Sequence, residues 1–186
     1  MKTRTYGLVL AVAVGSLVIM GCSGDSGESK ADGATSGQRQ AATLPSDLFV
    51  DQAPPHARSV ADLKADTSAT GEVVVYGRVG GRVKPFVDHA AVFLLADTSM
   101  KSCDQLHGDA CTTPWDYCCE PRDSLTAKTA TIQILGDDGK PLRVDLNGQA
   151  GISPLAELTI AGEIAQRDGG SLVINARKIH VTPRKE

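Results

Sequence analysis

The sequence predicts a small all-β domain, a barrel of five to six strands, in the second half of a chain of 186 residues. From residue 72 onward, apolar and polar residues alternate in several short segments, which is the period of a β-strand. Glycine-rich turns, such as the one at 136–139, separate these segments. Aromatic residues make up only 4% of the chain while 19 residues are glycine, a composition that favours tight turns over packed helices.

The first 21 residues have the organisation of a signal peptide. Lys2 and Arg4 precede an apolar stretch at 8–20 that is too short to span a membrane comfortably. The stretch ends in Leu-Val-Ile-Met-Gly-Cys at 17–22. This ending resembles the lipobox of bacterial lipoproteins, which has an aliphatic residue three positions before the cysteine and a small one directly before it. The resemblance implies cleavage before Cys22, a diacylglyceryl group on its sulfur and an acyl chain such as palmitate on the new amino group.

The lipobox resemblance also implies where the protein resides. Several acyl chains anchor a protein firmly to a membrane. Position 23 is Ser, whereas Asp at this place is typical of retention in the inner membrane. We therefore expect a lipid-anchored protein of the cell envelope, on the outer membrane and facing the periplasm.

Two segments link the anchor to the barrel. Residues 22–40 contain no aliphatic side chain larger than that of Ala, so they are expected to form a flexible Gly/Ser-rich tether. Residues 41–70 are expected to form a partly ordered strap, because Leu44, Leu48, Phe49 and Val50 could dock on the domain. Ser59 is positioned to cap one or two helical turns over 59–65.

The remaining residues, 71–183, supply the strands. Alternation predicts strands at 72–81, 129–135, 157–165 and 171–181, and a short apolar run predicts one at 90–97. A further alternating segment at 141–146 follows the Gly-Asp-Asp-Gly turn, so we expect it to form a hairpin with 129–135. Residues 167–170 are expected to form the tight turn of the last hairpin.

This order of strands resembles the OB fold. The resemblance lies in an opening strand that ends in Gly-Arg-Val at 77–79, a compact strand that ends at Asp97, and a closing hairpin. It implies a small OB-like barrel but no particular function, because one fold hosts many functions.

Charge and motifs exclude several classes of function. The formal net charge of −3 provides no electrostatic footprint for nucleic acid. No nucleophile elbow and no phosphate-binding loop occurs in the sequence, and no group of side chains forms a catalytic set. We therefore expect a binding or interaction module without enzymatic activity, whose partners are the membrane, through its lipid, and an envelope protein or small ligand.

The densest chemistry lies in an insert at 102–121 between two strands. The insert holds four of the five cysteines and the only Trp. In an oxidising compartment, an even number of cysteines predicts two disulfides that staple the loop. We expect Cys103 and Cys111 each to bond one of the neighbouring pair Cys118 and Cys119, with no cofactor.

The alternative is a metal site or a thiol-redox site in the same insert. Cys103, His107 and Cys111 recur every four residues, so one helical face could present all three. Cys118 or Cys119 could add a fourth ligand, which would suit zinc or reduced copper. The insert also has an acidic rim, for which solvated charge is the simplest explanation. Both interpretations remain open from the sequence alone.

Overall fold

The computed structural model describes residues 43–106, 108 and 110–183, and five strands in this part of the chain close into a barrel. The five strands of the barrel are β2 (Glu72–Val79), β3 (Val92–Ala96), β4 (Thr129–Gln133), β5 (Glu157–Asp168) and β6 (Ser171–Val181). A sixth, short strand, β1 (Arg58–Ser59), precedes them. The helices are α1 (Val60–Ala65) and α2 (Arg122–Ala127).

The barrel is a ring with the order β2-β3-β4-β6-β5, closed by the pairing of β5 with β2. The β4–β6 contact is parallel and the other four contacts of the ring are antiparallel. This arrangement confirms the predicted all-β, OB-like barrel. Closure leaves no open edge within the ring, which protects the sheet from pairing with other chains.

The closing hairpin forms as predicted, because its turn chemistry is strong. β5 runs three residues beyond the predicted end, to Asp168, and β6 has the predicted bounds. Gly169 and Gly170 both have positive φ, at 45° and 83°, so they suit a two-residue turn that matches the twist of the strands.

The prediction of a strand at 141–146 is wrong. Only an isolated bridge joins Leu135 to Pro141. The amide of Leu142 donates to Ile134, but the amide of Val144 then turns back onto the carbonyl of Leu142. That turn ends the ladder after one contact, and Leu146 enters the core from a loop instead.

The barrel interior is filled by the inward-facing side chains of all five ring strands. Apolar side chains alternate inward along each strand, which is why the period-two segments close on one core. Fully buried examples are Val75, Phe93, Ile132, Ile160 and Ile174.

The strap at 43–70 contributes to the same core. Leu48 is only 1% exposed, and Phe49 forms a parallel bridge with Ile179 of β6. Helix α1 begins after Ser59, whose hydroxyl accepts a hydrogen bond from the amide of Asp62 at 3.0 Å. Val60 and Leu63 then project from this helix into the core.

Polar contacts hold α1 at both ends. At its start, the buried carboxylate of Asp97 accepts a hydrogen bond from the amide of Ala61 at 2.7 Å. At its end, Arg167 donates to the carbonyls of Leu63 and Lys64. The described helices are short, and none of them has the length and apolar character needed to span a membrane.

Candidate functional site: a cluster of thiols and a carboxylate

The cysteine-rich insert follows β3, and α2 then connects it to β4. Two 3-10 turns, Cys103–Gln105 and Pro114–Asp116, give it local structure. At the first turn, the amide of Ser102 donates to the side chain of Gln105 at 3.2 Å. Arg78 of β2 lies within 3.4 Å of both Ser102 and Gln105 and pairs with Glu157 at 2.8 Å, so the turn is tied to two barrel strands.

A small second core attaches the insert to the barrel. Tyr117 is completely buried with Ala96 and Met100, and Leu125 of α2 packs against them. Tyr117 has a left-handed backbone with φ of 57°, which reverses the chain directly after the 3-10 turn at Pro114–Asp116. The reversal directs Asp116 and Cys118 toward the same point.

The insert packs against Gly80, which directly follows β2. A Cβ atom there would lie 2.6 Å from the carbonyl oxygen of Trp115 and 2.8 Å from a ring carbon of Tyr117. The same carbonyl accepts a hydrogen bond from the amide of Gly81 at 2.8 Å, and the Trp115 indole donates to the carbonyl of Val83 at 3.0 Å. Only a residue without a side chain allows this close approach.

Three sulfurs and one carboxylate of the insert lie close together. The ligand atoms of Cys103, Cys111, Asp116 and Cys118 all lie within 4.8 Å of one another. The Sγ atoms of Cys103 and Cys118 are 3.5 Å apart, and those of Cys118 and Cys119 are 3.9 Å apart. Both separations exceed the roughly 2.05 Å of an S–S bond.

The carboxylate of Asp116 is held in a fixed orientation. One oxygen accepts a hydrogen bond from the amide of Cys118 at 2.9 Å and lies 3.8 Å from the sulfur of Cys103. The other accepts from the hydroxyl of Thr113 at 3.0 Å. Outer contacts of this kind orient the ligands of metal sites.

Two thiols of this cluster, those of Cys103 and Cys118, favour their protonated form. Burial raises the pKa of Cys103. The pKa of Cys118 is raised well above its usual range, chiefly by its contact with the thiol of Cys103 and then by that of Cys119. Both thiols are therefore uncharged at neutral pH unless a bound cation displaces their protons.

Two of the distances between donors lie close to the edges of a tetrahedral metal site. With Zn–S bonds of about 2.3 Å and Zn–O bonds of about 2.1 Å, a tetrahedron has S–S edges of about 3.8 Å and S–O edges of about 3.6 Å. The observed 3.5 Å between Cys103 and Cys118 and 3.8 Å between Cys103 and Asp116 lie close to those edges.

The structure unites only part of the predicted ligand set. Cys103, Cys111 and Cys118 lie together, whereas Cys119 is a neighbour of Cys118 outside the group of four donors. His107 and Cys22 lie outside the described residues. The sequence does not predict Asp116 as a ligand, because it is one of the acidic residues of the rim, for which solvated charge is the simplest explanation. The available signal was its position two residues before Cys118, where an Asp carboxylate commonly accepts the amide two residues on.

Comparison with protein-family models and with curated proteins finds no match to this chain. The geometry of the insert is therefore the basis for any functional assignment.

Proposed function

We propose that this protein is a lipid-anchored, extracytoplasmic metal-binding module without enzymatic activity. Its metal is a soft or borderline cation such as Zn²⁺ or Cu⁺. The observation that carries the proposal is the convergence of four donor atoms, from Cys103, Cys111, Asp116 and Cys118, within 4.8 Å of one another.

The donor types favour these cations over harder ones. Thiolates select zinc and reduced copper, whereas magnesium and calcium prefer all-oxygen sites. One carboxylate beside three sulfurs is compatible with zinc, which accepts oxygen ligands at about 2.0–2.2 Å.

The number of donors argues against catalysis. Catalytic zinc has three protein ligands and keeps one position for water or substrate, whereas structural zinc is closed by four. Four protein donors from one short insert close the site, so the metal would hold the insert folded on Gly80 or be stored there.

A disulfide-stapled interaction module is the second candidate, and one distance favours it. The sulfurs of Cys103 and Cys118 need to approach by only about 1.5 Å to reach bonding distance. This pair also agrees with the expectation that Cys103 bonds one member of the neighbouring pair.

Thiol titration in denaturant, beside metal analysis of the same sample, separates the two candidates. The protein should be purified from the envelope fraction without added chelator or reductant. We expect four titratable thiols among residues 103–119 and about one metal per chain. Absence of titratable thiols together with absence of stoichiometric metal would overturn the metal proposal and favour the staple.

Variants test the ligand set itself. Asp116→Ala should weaken zinc binding by at least about tenfold, since it removes a donor and its outer contacts. Asp104→Ala is the matched control, because this exposed acid of the same insert is outside the donor group, and it should leave affinity unchanged. His107→Ala should also leave it unchanged if the four donors suffice. Equal affinity for Asp116→Ala and the control would refute the assigned set.

A further inference from the structure

A groove of about 960 Å³ runs along one side of the barrel, next to the thiol cluster. Its walls come from α1, from the segment after β2, from β3 and β4, from α2 and from the β5–β6 turn, and Asp116 and Cys118 of the thiol cluster line its end in the insert. Polar side chains that line it include those of Arg82, Lys84, Arg122, Thr126, Thr131 and Ser171.

The charge of this groove is opposite to that of the whole chain. Three exposed cations, Arg82, Lys84 and Arg122, lie along it, and Lys64 lies at its floor. Asp116 is the only acidic residue among the lining residues, and its carboxylate is already held in the thiol cluster. The chain as a whole has a net charge of −3, so the local concentration of cations is not a consequence of composition.

Lys64 is engaged with the protein, unlike the rim cations. Its ammonium donates to the carbonyls of Thr126, Thr129 and Gly170, and so joins the strap to α2, to β4 and to the last hairpin. Lys64 adds positive charge to the groove, but its N–H groups already donate to protein carbonyls.

The guanidinium groups at the rim are available to a ligand. Of the seven arginines in the described residues, four donate to protein oxygens, namely Arg58, Arg78, Arg167 and Arg177. Arg82 and Arg122 have no hydrogen bond or ion pair within the described part of the chain. Lys84 is 3.6 Å from Asp88, but both side chains are more than three-quarters exposed, so this pair contributes little.

We propose that this groove binds an acidic polysaccharide. Arginine guanidinium groups match the planar geometry of carboxylates and the oxygens of sulfates. The hydroxyls of Thr126, Thr131 and Ser171 lie along the same groove and can exchange hydrogen bonds with sugar hydroxyls.

Single-stranded nucleic acid fits the same groove less well. Binding of single strands combines a basic groove with aromatic side chains on which the bases stack. The lining residues include no aromatic side chain.

The proposal does not depend on a metal in the thiol cluster, and a charge-matched pair of variants tests it. The first variant, R82S/K84S/R122S, removes the three rim cations. The second, K101S/K140S/R143S, removes three exposed cations that do not line the groove. Both sets of residues are exposed, so circular dichroism and melting should show that both variants fold.

Binding of the wild-type protein and the two variants is measured by calorimetry in low salt. The probes are polygalacturonate fragments, dextran sulfate fragments, a 20-residue oligothymidylate and inorganic phosphate. We expect binding of at least one polysaccharide, a loss of at least about tenfold in the groove variant and a change of less than twofold in the control. Polygalacturonate and dextran sulfate distinguish carboxylate from sulfate recognition.

Three results would overturn the proposal. One is the absence of polysaccharide binding by the wild-type protein. Another is an equal loss in both variants, which indicates unspecific charge attraction. The third is tighter, groove-dependent binding of the oligothymidylate or of inorganic phosphate alone, which assigns the groove to another class of ligand.

Discussion

Gly80→Ala tests whether the insert is held in place by the barrel. The new methyl group would stand 2.6 Å from the carbonyl oxygen of Trp115 and 2.8 Å from the Tyr117 ring. Neither neighbour can move alone, because one is backbone and the other is completely buried. The insert must therefore shift away from the strand as a unit.

The magnitude of the effect follows from three contributions. Overpacking by one methyl group costs about 1–3 kcal/mol. The shift also breaks the hydrogen bond from Gly81 to Trp115, which is worth about 1 kcal/mol. Removing a glycine from the unfolded chain returns about 0.4–1 kcal/mol. The net loss is about 2 kcal/mol, or a melting temperature lower by about 4–8 °C for a domain of this size.

Thermal unfolding and zinc titration of the same variant measure both consequences. We expect lower stability together with weaker zinc binding, because Asp116 and Cys118 flank the displaced residues. Gly71→Ala is the control: its φ is +70°, but nothing lies within 4 Å of the new Cβ, so it should cost about 1 kcal/mol of backbone strain and leave zinc affinity intact. If Gly80→Ala matches the wild-type protein in both measurements, the insert is not seated as described.

Three further predictions concern other parts of the chain. Leu63→Ala should lower the free energy of unfolding by about 2–5 kcal/mol in denaturant titrations, because this strap residue is fully buried, whereas the same truncation at exposed Val83 should change it by less than 0.5 kcal/mol. Asp97→Asn should flatten the acid limb of the stability profile: burial alone would raise the pKa of Asp97, but hydrogen bonds from backbone amides, including that of Ala61, outweigh it and hold the pKa below its usual range. The carboxylate therefore stabilises the fold above about pH 4, and this stability is lost as the pH falls through the lowered pKa. Cys22→Ala should accumulate as an uncleaved precursor on gels of the membrane fraction; normal cleavage and release would contradict the lipoprotein assignment.

Most of the barrel could be predicted because its strands follow a simple rule. In β5 and β6, alternation and a Gly-Gly turn act together, so the existence of both strands and the limits of β6 follow from local sequence, whereas β5 runs three residues beyond its predicted end. The segment at 141–146 alternates in the same way, yet it forms no strand. The carbonyl of Leu142 accepts hydrogen bonds from the nearby amide of Val144 and from that of Ala91, a residue distant in sequence, and not from a partner strand. Periodicity contains no information about such long-range competition.

The candidate site was predictable only in part, for a related reason. The cysteines mark the region by residue type alone, so the sequence predicts Cys103, Cys111 and Cys118 as members of the site. Asp116 joins them because Tyr117, which packs against Gly80, has a left-handed backbone that reverses the chain. The spacing of residues along the sequence does not reveal a conformation that depends on packing between distant segments.

The pairing of the strap with the last strand determines when this domain can fold. Leu48 accepts a hydrogen bond from Ile179, and the two residues are separated by 131 positions. Contacts between residues this far apart require closure of a long loop before any burial compensates its entropy, and chains dominated by them fold slowly. A nascent chain that lacks β6 also lacks a partner for β4 and for β5. The barrel can therefore close only after the residues of β6 have been added to the chain.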